Sequence, residues 1–362
     1  MSEKNLTGIG VFLEKLEPEM FDVKDLMREY YECYADKHEK DEAYKDMLGK
    51  LLDMEKKECL SVEKWFLYKT LDEGYGGCRF DCDSSNDTCW LTTQVYNALW
   101  LSEKADRNLQ IPLGGDTMNS FAAILNVYEK TSSFKECYKQ YKADDKVKNA
   151  IEKVFGDYAK ATGCIGNFVL VPNGFNRKRY GLFKDFWDRS LQYLKQQASE
   201  NVWLSKSRVF ERYINYFFLW DYVACDEKKS EYFVKSLLLD EFRNSNEYNS
   251  SYMVSDRGMP TDKETPIFLK NARWAIKRRG IFMTAMLRLQ ADKENEGAEK
   301  YAEIREKIFS ASASYSGYGG VFEAIESIEG YKDWPENIRT ILTDAQKDIE
   351  NVERQKTSRD IE

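Results

Sequence analysis

Residues 162–194, TGCIGNFVLVPNGFNRKRYGLFKDFWDRSLQYL, combine a strand pattern, a polar loop and a helix pattern. The apolar run FVLV ends at Pro172 and predicts a strand over 165–171. A loop rich in Asn and Arg follows, and an aromatic amphipathic segment then indicates a helix. Functional side chains often lie on loops that regular elements hold in place. This stretch is therefore the first place to look for a site.

Helical patterns dominate the rest of the chain. Apolar residues recur at helical spacing over 12–72, 267–290 and 295–310, and the apolar segment 207–224 predicts a buried helix. Only 6 of the 362 residues are proline, which breaks helix interiors. We predict a mainly α fold.

A minor β element accompanies these helices, with short strands near 78–83 and 165–171. The Pro-Leu-Gly-Gly run at 112–115 predicts a turn, followed by a helix from about Met118. The chain divides into an N-terminal helical segment at 1–75, a core domain at 76–290, and C-terminal helices with a charged tail at 291–362. We expect these parts to pack as one unit.

Composition limits the function classes. The net charge is −8 and the pI is about 5.2, so the chain lacks the bulk basic charge of many nucleic-acid-binding proteins. Local basic patches are still compatible with this balance. The first residues lack a signal-peptide core, and no run reaches the about 18 apolar residues of a membrane span. We expect a cytoplasmic protein without a membrane partner.

The cysteine and histidine content limits the metal sites and the catalytic groups that the chain can form. The 8 cysteines read as reduced thiols, and a zinc site built on Cys78, Cys82 and Cys89 is the less favoured interpretation. The only histidine, His38, lies in the charged run DKHEKDE, which is typical of a solvated helix face. A catalytic triad or a histidine-ligated metal would have to use that one residue.

Five pieces of the chain carry a family resemblance: FDCDSSNDTCWLTTQVYNALW, GGDTMNSF, IGNFVLVPN, NRKRYGLFKDFWDRSLQYL and RYINYFFLWDYV. In their order and spacing over about residues 78–290, they resemble a widespread family of bacterial proteins classed as a domain of unknown function. The resemblance implies no particular activity.

A shorter piece, IGNFVLVPNGFN at 165–176, is similar to part of the nuclease domain of modification-dependent restriction enzymes. That domain has a catalytic histidine shortly upstream. Here the only upstream histidine is His38, which lies 128 residues before Gly166. The similarity therefore does not imply an active nuclease of that type.

An acidic loop is the candidate metal site. Asp81, Asp83 and Asp87 are closely spaced, and carboxylates in such a loop can converge on Mg²⁺ or Mn²⁺. The alternative is that these side chains bond to their own backbone. A magnesium or manganese cofactor therefore stays open, and zinc is not expected.

Two further segments offer polar groups. The run GGDTMNS at 114–120 could present backbone N–H groups to a phosphate, with Asp116 and Asn119 as contacts; the alternative is a turn with a helix cap.

The loop after the predicted strand offers amides and planar guanidinium groups, which suit phosphate. Its arginines could instead pair with Asp185 or Asp188 and fix the loop. The loop candidates are Asn167, Asn173, Asn176, Arg177 and Arg179.

A basic segment completes the candidates. Residues 265–290 contain six basic side chains and no acidic one. Arg273 and Lys277 are four residues apart, so they share a helix face, and Trp274 lies beside them. Phosphate contact is one interpretation. The other is that the charges neutralise acidic neighbours within the fold.

Three functions follow from these patterns. The first is a binding or effector protein for a phosphate-bearing ligand, either nucleic acid or nucleotide, through local basic patches. The second is a phosphoesterase or nuclease that uses Mg²⁺ or Mn²⁺ and no histidine. The third is an interaction module for a protein partner, for example in phage defence or counter-defence. Without a complete catalytic constellation, the sequence favours the first and leaves open whether the protein is an enzyme.

Overall fold

The computed structural model describes residues 113–119, 165–172, 207–226, 231–234, 264–291, 297–310 and 317–358. It also describes single positions at Tyr158, Ala161, Phe175, Trp187, Asp188, Ser190, Leu191, Leu194, Lys195 and Lys228.

The described part of the chain is mainly helical, which confirms the predicted fold class. Its helices are α1 (Ser207–Tyr216), α2 (Glu264–Ala291), α3 (Gly297–Ser310), α4 (Tyr318–Glu326) and α5 (Glu336–Ser358). Short 3₁₀ helices cover Ile165–Asn167, Trp220–Tyr222 and Tyr331–Asp333. The strands are β1 (Leu113–Thr117), β2 (Phe168–Pro172), β3 (Val223–Asp226) and β4 (Glu231–Val234). Among these helices, none is long and apolar enough to cross a bilayer.

Strands β1 and β2 form an antiparallel pair in which Gly115 lies opposite Leu170. The strand predicted at 165–171 is confirmed from Phe168, and its first three residues form a 3₁₀ turn instead. The turn predicted at 112–115 is wrong over its described residues, because 113–117 are a strand. Glycines predict a turn locally, but pairing with a distant strand overrides that preference. The other predicted strand, at 78–83, lies outside the described residues.

The helix predicted at 207–224 is correct only in its first half. Helix α1 ends at Tyr216, and Phe218 has a φ of 55°, which no helix accommodates. From Val223 the chain forms β3, which pairs antiparallel with β4. A continuous apolar run does not by itself distinguish a buried helix from a buried strand. The sequence pattern therefore did not predict where the helix ends and the strand begins.

Helix α2 is the centre of the described structure. It packs against α5, α3 and the 3₁₀ turn at Ile165–Asn167. The helices predicted at 267–290 and 295–310 are confirmed as α2 and α3. The side chains of α2 are buried on nearly all sides. A helix covered all round in this way is a core element of the fold.

An aromatic cluster joins the C-terminal helices to α2. The Phe282 ring lies 5.2 Å from Trp220, 5.7 Å from Tyr318 and 5.6 Å from Phe322, measured between ring centroids. Two of these three pairs meet edge to face, the arrangement that ring quadrupoles favour. Trp220 also lies 5.1 Å from Tyr318. The cluster therefore connects α2, α4 and the turn before β3 through one set of buried rings.

A buried tyrosine on α3 gives a testable pH dependence. Burial raises the pKa of Tyr301 above its ordinary value of 10.0. The unfolded chain therefore loses this proton above about pH 10 while the folded chain keeps it, so stability falls as pH rises. We expect Tyr301→Phe to reduce that fall by about 1 kcal/mol between about pH 10 and pH 11, because the unfolded phenol is already half ionised at about pH 10. Urea unfolding at both pH values measures the difference.

The matched control for this prediction is Tyr331→Phe. The Tyr331 pKa is also raised by burial, but this side chain is partly exposed. We therefore expect a smaller change in the slope of stability against pH. Equal slopes for wild type and Tyr301→Phe would contradict the prediction.

Candidate functional site

Two of the arginines of α2 are buried inside the fold. Arg278 Nε lies 2.8 Å from Asp221 Oδ2 and forms an ion pair. Burial alone would lower the pKa of Arg278, but the nearby Asp221 carboxylate outweighs that effect, and the pKa is raised. This side chain carries its charge at the core and neutralises Asp221, which lies in the turn after α1.

Arg279 is fully buried and binds backbone carbonyl groups. Its Nε donates to the carbonyl oxygen of Phe217 at 2.8 Å. Its Nη1 donates to the carbonyl oxygens of Gly166 and Phe168, both at 2.6 Å. One guanidinium thus ties the start of β2 and the end of α1 to the central helix. In the sequence, Arg279 is one of the six basic residues over 265–290, and nothing in the pattern predicts this role.

A close backbone approach reinforces the same junction. A Cβ atom at Gly166 would lie 1.9 Å from the Ile276 carbonyl oxygen and 2.6 Å from the Gly280 nitrogen. The 3₁₀ turn at Ile165–Asn167 therefore touches the backbone of α2. Only glycine fits there, because any side chain would overlap atoms that cannot rotate away.

Asn119 and Asn167 bond to each other rather than facing solvent. The Asn119 backbone N–H donates to Asn167 Oδ1 at 2.9 Å, and Asn167 Nδ2 donates to the Asn119 carbonyl oxygen at 2.7 Å. The two residues are 1% and 0% exposed. They continue the β1–β2 pairing past the end of the ladder. In this arrangement, their amides hold the two strands together.

Tyr222 lies beside this asparagine pair. Burial raises the pKa of its phenol, and the nearby Arg279 and Asn119 act in the opposite direction. Asp221 and Asp188 also lie near enough to affect it. The result is a buried polar cluster around Tyr222, in which Arg278 and Asp221 form an ion pair. The signal for it in the sequence was the presence of charged residues, WDY and KRR, inside otherwise apolar segments.

The remaining basic residues of α2 lie on a different side of the helix. The Arg273 guanidinium carbon lies 4.4 Å from the centre of the Trp274 ring, and Lys277 Nζ lies 5.6 Å from it. Such distances are typical of cation–π contacts. Arg273 is 9% exposed, while Lys270 and Lys277 are partly exposed. We call Lys270, Arg273, Trp274 and Lys277 the basic face.

The basic face includes an indole N–H group that lacks a described partner. Trp274 Nε1 is buried and forms no hydrogen bond with the described residues. Arg273 and Lys277 both lie over the ring of this tryptophan, so this part of α2 is electropositive. Lys270 and Arg273 each have a further interaction within the fold, and Lys277 is held over the indole ring. An anion is the ligand that this set of groups attracts.

Several predicted site residues are not brought together by the described structure. Asp116 lies in β1 opposite Val169, and its side chain is not among those described. The described residues contain no group of three His, Cys, Asp or Glu side chains suited to a metal. Other candidates lie outside the described residues: Asp81, Asp83, Asp87, Asn173, Asn176, Arg177 and Arg179.

Comparisons of the chain with protein-family models, with curated proteins and with solved structures found no significant match. The function therefore has to be argued from the chemistry of the described residues.

Proposed function

We propose that this protein binds a phosphate-bearing ligand, nucleic acid or nucleotide, through the basic face of α2. One observation carries the proposal. Among the side chains of α2 whose burial is described, those not buried are Lys270, Lys277 and Arg288, and all three are basic. The described accessible side chains of α2 are therefore all cations, and they present positive charge to a ligand.

The chemistry of the basic face supports this ligand class. Lysine and arginine provide the N–H donors that phosphate oxygens accept, and arginine can do so with two parallel bonds. The Trp274 ring holds Lys277 in place, which lowers the conformational entropy lost on binding. Arg278 and Arg279 do not contribute to this face, because Asp221 and backbone carbonyls already bind them.

The biological setting that we propose is phage defence or counter-defence in bacteria. This setting is a hypothesis from the sequence, as one example for a protein without a complete catalytic constellation. The metal-dependent enzyme and the protein-interaction module remain the alternatives from the sequence. Neither gains a specific contact or cluster among the described residues.

A charge-neutralising substitution tests the proposed function. We expect Lys277→Gln to weaken binding of a phosphate-bearing ligand about tenfold, because one charge-assisted hydrogen bond contributes about 1.5–3 kcal/mol. Isothermal titration of the full chain with a panel of nucleotides and oligonucleotides provides the measurement.

The matched control is Lys332→Gln, which removes the same charge from an exposed position in the loop between α4 and α5. It should leave binding within about twofold of wild type, since single exposed charges contribute little at physiological salt. If neither nucleotides nor oligonucleotides bind wild type, or if both variants bind as wild type does, the proposed function is wrong.

A further inference from the structure

We infer that the basic face accepts a small ligand with one to three adjoining phosphate groups, and not a nucleic-acid polymer. This inference rests on the proposed function and specifies its ligand. It follows from the length of the basic face, from its depth and from the charges around it.

The first observation is the length of the face. Lys270 and Lys277 are seven residues apart, which is two helical turns and about 10.5 Å along the axis. On the same side of α2, the next side chains after Lys277 are those of Ile281 and Thr284, and both are fully buried. The continuous row of accessible cations therefore ends at Lys277. Arg288 comes three turns later and is separated from the others by this covered section. Over the described residues of α2, the continuous part has room for a few phosphates in a row.

The second observation is the depth of the face. Arg273 is only 9% exposed and Trp274 is 1% exposed, while the lysines on either side are partly exposed. A ligand therefore reaches Arg273 from between the two lysines. A helix that reads duplex DNA has to enter a groove with its side chains exposed. Since α2 is covered on nearly all sides, it cannot do so, and a small phosphate group is the better fit.

The third observation is the charge of the neighbouring helices. Over α4, α5 and the loop between them, the exposed acidic residues outnumber the exposed basic ones, which are Lys332, Lys347 and Arg354. A polyanion long enough to extend from the basic face over α4 and α5 would be repelled by these helices, whereas a ligand confined to the basic face would not reach them. The exposed acidic residues are Glu323, Glu326, Glu329, Asp333, Glu336, Asp344, Glu350 and Glu353.

Titration with four probes tests the inference on the full chain: inorganic triphosphate, ATP, single-stranded DNA and duplex DNA. We expect triphosphate and ATP to bind, and Lys277→Gln to weaken both about tenfold while Lys332→Gln does not. A plot of log affinity against log salt should have a slope no steeper than about −3, because only three cations contact the ligand. Far-UV circular dichroism confirms that each variant is folded.

The outcomes separate the two proposals. Binding of DNA alone, weakened by Lys277→Gln and with a slope steeper than about −5, would overturn the small-ligand inference and leave the proposed function standing. Binding of no probe would overturn both. Triphosphate binding that Lys277→Gln does not change would also overturn both, because the basic face would not be the site.

Discussion

Gly166→Ala is expected to destabilise the protein by about 3 kcal/mol or more, at the upper end for overpacking a core. The added methyl group would lie 1.9 Å from the Ile276 carbonyl oxygen and 3.0 Å from Gly280 Cα, both backbone atoms of α2. No side-chain rotation can relieve these contacts. The 3₁₀ turn must instead move away from the helix, which also disturbs the bonds from Arg279. Urea unfolding followed by circular dichroism gives the change in unfolding free energy.

The control substitution is Gly319→Ala in the first turn of α4. A Cβ there has no atom within 4 Å, and the residue is exposed. Because alanine favours helix over glycine, this variant should be neutral or more stable by up to about 1 kcal/mol. Gly166→Ala with a loss below about 1 kcal/mol would show that the turn does not contact α2 closely.

Arg279→Met should cost about 3–5 kcal/mol, similar to breaking a buried ion pair by removing one partner. Methionine fills much of the volume of the side chain but donates no hydrogen bond. The carbonyl groups of Gly166, Phe168 and Phe217 would all lose a buried donor. Each buried group left without a partner costs about 1–3 kcal/mol. The unfolding free energy of the full chain measures the loss.

Two further substitutions show whether charge or geometry matters at this position. Arg279→Lys keeps the charge, but a single ammonium group cannot reproduce the planar fork, so we expect it to recover only part of the loss. Arg354→Met is the matched control. Its side chain is 71% exposed and pairs with Glu350 at 3.8 Å, so its effect should stay within about 0.5 kcal/mol. If Arg279→Met were equally mild, the three carbonyl bonds would not stabilise the fold.

The sequence predicted the helices well where one pattern ran on for several turns. Helices α2 and α3 were placed within a few residues of their ends, because helical periodicity is a local property. The sequence-based prediction was wrong at β1, where two glycines predicted a turn, and at 217–226, where an apolar run changes from helix to strand. The first error arises because β1 pairs with β2, about fifty residues further along the chain. The second arises because a continuous apolar run fits a buried helix and a buried strand equally well, although β3 pairs with the nearby β4.

The candidate site was predicted in outline and not in detail. The sequence identified Arg273 and Lys277 as neighbours on one helix face, and the structure places both against Trp274. It also offered Asn119 and Asn167 as ligand contacts, whereas they bond to each other inside the fold. Amide groups suit both uses equally well, so residue type alone could not decide between them.

The sequence by itself determined that residues 265–290 form a helix pattern with six cations and no carboxylate, and that histidine chemistry has only His38 to draw on. Only the tertiary structure decided which cations a ligand can reach. Arg279 binds carbonyl groups that are 62 and 113 residues away in the chain, and Arg278 pairs with an aspartate 57 residues away. A charge is buried or accessible according to what packs over it. That depends on contacts between distant segments, which the order of residues along one helix does not reveal.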